Sequence, residues 1–115
     1  MDRHNIGATR DKEKMLTRYE ELQNQLSSIG FICNGTVMSV HRKCGKPNCG
    51  CNESEQMQHG PYHIWTRKVK GKTVTRSLSR EQARQCSQYI ENFKKMESII
   101  EEMKKISIQM IERRK

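Results

Sequence analysis

PYHIWTRKVKGKTVTRSL, residues 61–78, holds two β-prone runs split by Lys70-Gly71-Lys72. Aromatic and β-branched residues suit a pleated surface, and a glycine in so short a connection predicts a hairpin. On the first run Tyr62, Ile64 and Thr66 share one face, while His63, Trp65, Arg67 and Val69 share the other, because side chains alternate along a strand. In a core with few aromatic residues, Trp65 is expected to anchor the hairpin rather than to stack on a base.

Working outward, Ser79 followed by Gln82 forms a capping box that opens a helix. Tyr89, Phe93, Met96, Ile100, Met103, Ser107 and Met110 then step by four and three, with Ile99 and Ile106 beside them, and no Gly or Pro interrupts residues 80–115. Upstream, TVMSVHR at 36–42 predicts a short strand. Further back, Met15, Tyr19, Leu22, Leu26 and Ile29 repeat every 3.5 residues, the mark of an amphipathic helix that Leu16 widens. Gly30 is expected to close that helix in a left-handed conformation, with Phe31 folding back on Leu26. The fold class is therefore α+β in a single domain, 1–115. Two long flanking helices, 11–30 and 79–114, pair antiparallel, and a metal knuckle with a basic β-hairpin occupies 31–78 between them. The longer helix overhangs, and its apolar seam predicts a homodimer or a helical protein partner.

Cys44, Cys49, Cys51 and His59 fall within CGKPNCGCNESEQMQH, residues 44–59. Thiolates at spacings of five and two, with an imidazole eight residues on, make a tetrahedral donor set for zinc. Filling all four positions with protein leaves no place for a catalytic water, so the expected role is structural. His41 or His63 is the alternative fourth ligand. An iron–sulfur cluster needs a further thiolate from Cys33 or Cys86, which otherwise suit core packing. Five cysteines is an odd number for a disulfide framework.

Only 33% of residues are apolar and 30% are charged, a thin core that gives a metal staple something to do. No stretch reaches the roughly 20 apolar residues of a membrane span. The N-terminus lacks the apolar segment of a secretory signal, and the expected compartment is the cytoplasm. The net charge is +9. Residues 60–84 carry seven basic side chains (Arg67, Lys68, Lys70, Lys72, Arg76, Arg80 and Arg84) against the single acid Glu81, so six of the nine excess charges lie there. Such concentration points to a polyanion. A two-stranded ribbon is narrow enough for the major groove of DNA, although its basic side chains equally track phosphates without regard to sequence, and nothing in the hairpin itself separates DNA from RNA; DNA is the expected partner. Nothing in the chain forms a Ser/His/Asp set, a phosphate-cradling glycine loop or a carboxylate pair, and no enzyme is expected.

The runs Cys44-Gly45-Lys46, Cys49, Cys51, His59-Gly60-Pro61-Tyr62 and Gly71-Lys72-Thr73 resemble an uncharacterised family of small bacterial and archaeal proteins, a domain of unknown function, over roughly residues 35–80. That resemblance implies that the three cysteines and His59 act together and suggests a setting near mobile elements. The expected function is a zinc-stabilised nucleic-acid-binding protein, an accessory or regulator of such an element. The alternative is a protein-interaction module acting through its long helix.

Overall fold

The computed structural model describes residues 3–42 and 59–113. In chain order they form α1 (Arg3–Ser27), β1 (Thr36–Arg42), β2 (His59–Val69), β3 (Lys72–Leu78) and α2 (Arg80–Glu112). The class is α+β, as the sequence predicts.

The described residues form two compact units, with α2 passing through both: residues 3–31 with 92–113, and residues 32–42 with 59–91. In the first unit α1 begins at Arg3 rather than at residue 11. Residues 3–10 carry no apolar stripe to announce a helix. Once a nucleus exists, however, each added residue gains a hydrogen bond at little further cost. The helix also ends differently from expectation. Gly30 is not left-handed, and Phe31 is 75% exposed instead of folding onto Leu26. Short bonds from Ser28 N–H to the Gln25 carbonyl and from Ile29 N–H to the Leu26 carbonyl tighten the last turn. The Ser27 and Ser28 hydroxyls donate to the Asn24 and Gln25 carbonyls. Two serines thus satisfy the orphan acceptors that a glycine cap would have served.

Here α1 and the second half of α2 pack antiparallel. The Asn92 amide donates to the Phe31 carbonyl at one end, while Arg18 pairs with Glu102 further along. Leu22 is fully buried and clusters with Ile99 and Ile106, and Met15, Tyr19, Leu26, Ile29, Met103 and Met110 surround them. The stripe read on α1 is the one that packs, except that Leu16 is 47% exposed. On α2 the buried line runs through Ile99 and Ile106, one residue away from the expected Ile100 and Ser107, both of which are exposed. Ile99 next to Ile100, and Ile106 two residues from Ile108, let the apolar pattern fit more than one phase, and packing against Leu22 selects one.

In the second unit a three-stranded antiparallel sheet has the order β1-β2-β3. Lys70 and Gly71 have φ of 51° and 81°, and Val69 pairs with Lys72. Positive φ at both central residues makes this the two-residue hairpin turn whose twist matches that of the strands. β1 and β2 are in regular register from Thr36↔Thr66 to Val40↔Tyr62. The register then shifts before Arg42↔His59, setting Gly60 and Pro61 opposite His41. Pro61 cannot donate to a ladder, and a bulge is where a strand tolerates it. The capping box forms as read: Ser79 N–H donates to Gln82 Oε1 at 2.9 Å, and Gln82 N–H to Ser79 Oγ at 3.1 Å. Ala83, Cys86 and Ile90, spaced by three and four, are the buried residues of this part of α2.

Candidate metal loop and nucleic-acid interface

Pairing of Arg42 with His59 makes residues 43–58 leave and re-enter the sheet at neighbouring positions. Cys44, Cys49 and Cys51 lie on that connection, outside the described residues, and His59 is the first residue of β2. The ladder therefore ties the two ends of the cysteine-bearing run together. The two other histidines weighed as ligands sit on the sheet. His41 is exposed beside the bulge, and His63 Nδ1 lies 2.9 Å from the Ser39 hydroxyl on the adjacent strand. Among the described residues no three His, Cys, Asp or Glu side chains gather as a metal site.

The seven basic residues do not share one surface. By register, Val37, Trp65 and Arg76 lie on one face of the sheet, with Arg67 two residues along from Trp65, while Lys68 is on the other. The Arg67 guanidinium lies 4.1 Å from the centre of the Trp65 ring, and its Nη1 is buried without a hydrogen-bond partner among the described residues. Arg76 borders a cavity that Trp65, Cys33, Cys86 and Tyr89 also line. Lys68 donates to the Thr73 hydroxyl at 2.8 Å. Lys68, Lys70 and Lys72 surround the turn, and all three are exposed, as are Arg80 and Arg84 on the first turns of α2.

A second set of residues builds this region without announcing itself in the sequence. Trp65 Nε1 donates to the Asn34 carbonyl at 2.9 Å, which fixes the ring as the expected anchor. The neighbouring Gly35 has φ of 106°, and a Cβ there would stand 2.4 Å from the Thr66 carbonyl oxygen and 2.7 Å from Trp65 Nε1. Only glycine lets the chain approach β2 so closely. Asn34-Gly35 just ahead of a β-prone run was the available signal, since that dipeptide favours turns with positive φ. Cys33 N–H donates to the Tyr89 carbonyl at 3.1 Å. The Cys86 thiol is pushed up to about 11 by burial first, then by the neighbouring Cys33 thiol, with Arg67 acting in the opposite direction.

Compared with known proteins, residues 12–88 match a family model described as a domain of unknown function, DUF6788. The chain belongs to this family. The match takes in most of α1, the whole sheet and the start of α2, and so extends beyond the cysteine and hairpin motifs. No curated protein and no solved structure matches the chain. No helix among the described residues is long and apolar enough to cross a membrane. Membership of DUF6788 assigns no chemistry to these positions, so the functional argument rests on the residues themselves.

Proposed function

We propose that this protein is a small, zinc-stabilised, non-catalytic nucleic-acid-binding protein of the cytoplasm, with DNA favoured over RNA, serving as an accessory or regulator of a mobile element. The observation that carries the reading is the turn at Lys70-Gly71, which gathers Lys68, Lys70 and Lys72, all exposed, at the tip of a two-stranded ribbon. A narrow ribbon with a cationic tip suits a groove lined by phosphates. Arg80 and Arg84 extend the same charge onto α2. Arg67, stacked on Trp65, supports the ribbon from within. Cys44, Cys49, Cys51 and His59 would hold one zinc ion at the opposite end of β2 from that tip.

Titration of labelled duplex and single-stranded DNA and RNA at increasing salt tests the reading. Wild type should bind with a steep salt dependence. The triple variant K68A/K70A/K72A should bind more weakly, and the slope of log affinity against log salt should fall by about 3, close to one unit per lost phosphate contact. Unchanged affinity in the folded triple variant, or no binding at low salt, would overturn it.

A second reading is supported by a groove of about 390 Å³ on the helical unit, lined by Tyr19, Leu26, Ile100, Met103 and Ile108 among others. Leu16 and Ile108 are 47% and 51% exposed. In this alternative the protein is an interaction module or homodimer working through α2, with zinc purely structural. Sedimentation of wild type against I108K distinguishes the two: a wild-type dimer that the substitution dissociates favours the module.

A further inference from the structure

Cys33 and Cys86 are 53 residues apart in sequence (86 minus 33), yet the fold brings them together. The Cys33 amide bonds to the Tyr89 carbonyl at 3.1 Å, and Tyr89 lies one helical turn beyond Cys86. That places Cys33 beside the face of α2 that carries Cys86. Both line the same cavity of about 290 Å³ beside Trp65 and Arg76, where the Cys33 thiol donates to the Asn34 carbonyl at 3.4 Å. Both are reduced in this structure; Cys33 is partly exposed and Cys86 is buried. Arg67, stacked on the Trp65 that lines this cavity, holds a buried Nη1 with no hydrogen-bond partner among the described residues.

We propose that Cys33 and Cys86 are a peroxide-oxidised pair that closes into a reversible intramolecular disulfide, tying the approach to β1 onto α2. The reaction needs hydrogen peroxide as oxidant. The accessible Cys33, as thiolate, attacks one peroxide oxygen. The O–O bond breaks, hydroxide leaves and takes up a proton to become water, and Cys33 becomes a sulfenic acid. The Cys86 sulfur then attacks the Cys33 sulfur. The S–S bond forms as the S–O bond breaks, and the Cys86 proton departs with the hydroxyl as a second water. Two thiols lose two electrons and two protons, and one peroxide becomes two waters. Burial keeps Cys86 a thiol until its partner is oxidised, so Cys33 reacts first. A thiol reductant reverses the link.

The assignment does not depend on nucleic-acid binding or on zinc. Its test uses the full chain, reduced, exposed to a few equivalents of hydrogen peroxide, alkylated with iodoacetamide and digested with trypsin. Cys33 falls in peptide 19–42 and Cys86 in peptide 85–94, each with no other cysteine. The expected product is these two peptides joined, two hydrogens lighter than their sum and released by dithiothreitol. It should be absent from C33S. In C86S, dimedone should label Cys33, and in wild type brief exposure should give the same adduct transiently, so the order of events is readable even if C86S folds poorly. The oxidised wild type should also melt at a higher temperature than the reduced form, a difference C33S should lack. Recovery of both peptides as alkylated thiols, as sulfinic acids, or in disulfides to Cys44, Cys49 or Cys51 would overturn the proposal.

Discussion

The guanidinium of Arg67 caps the indole of Trp65 at 4.1 Å from the ring centre, on the sheet face from which Trp65 also reaches Asn34. A residue that charge counting assigns to phosphate contact is thus engaged within the fold. R67A should destabilise the protein by about 1–2 kcal/mol, the range for a cation over a partly desolvated ring. Trp65 is the only tryptophan, so its fluorescence in a urea titration reports the change directly. A stability equal to wild type would return Arg67 to the list of ligand-binding residues.

Gly35 should tolerate no side chain. G35A has to adopt a φ of 106° and bring Cβ within 2.4 Å of the Thr66 carbonyl oxygen. Strain of that kind costs about 1–3 kcal/mol before any clash is relieved. Chemical denaturation should show at least that loss, together with a shifted Trp65 emission as the bond to Asn34 breaks.

Ile99 and Ile100 separate the two phases available to α2. Ile99 is 5% exposed and Ile100 is 37% exposed. I99A should cost about 2–5 kcal/mol through lost burial and a cavity, whereas I100A should stay within about 0.5 kcal/mol. Thermal melts of the pair check the assignment, and equal losses would mean that both sides of the seam are covered in solution.

Arg18 and Glu102 form a two-pronged pair, with Nε to Oε2 at 2.6 Å and Nη2 to Oε1 at 3.0 Å. The Arg18 hydrogen bond holds the Glu102 carboxyl below its ordinary value of 4.5, with desolvation opposing the shift. A carboxyl depressed in the folded state contributes stability above its unfolded value and loses it as pH falls through the folded one. The melting temperature of wild type should therefore exceed that of E102Q at pH 7, with the gap closing as pH drops below 4.5. Both side chains are about two-fifths exposed, so the gap should be small and shrink in salt.

Native mass spectrometry should find one zinc per chain, lost to chelator and to C44S, C49S, C51S or H59A. Chelated protein should melt at a lower temperature than the loaded form, because the ion binds only the folded chain. A metal-free chain of undiminished stability would leave the cysteines without this role.

Much of the architecture was legible because local rules decide it. Gly71 in a short connection marked the hairpin, Ser79 with Gln82 marked the start of α2, and Met15 through Ile29 marked the packed face of α1. The departures lie where tertiary contact chooses among equal local options. Nothing in residues 3–10 distinguishes helix from coil, and Gly30 yields its expected capping role to Ser27 and Ser28. The approach of Gly35 to Thr66 and the meeting of Cys33 with Cys86 join residues 31 and 53 apart in sequence, beyond the reach of any periodicity, while the stacking of Arg67 on Trp65 joins two residues of one strand face that charge counting passes over. Lysines at a turn read as charge alone, and the sequence is silent on which of them the sheet keeps for itself.

Being the middle strand, β2 gives its backbone to neighbours on both sides, so its amides should be among the slowest of the sheet to exchange with deuterium. The cysteine-bearing connection enters at its first residue, and the lysine turn leaves from its last. Evolution cannot easily retune one end without disturbing the other. Insertions should therefore collect in 43–58, while β2 itself keeps a fixed length.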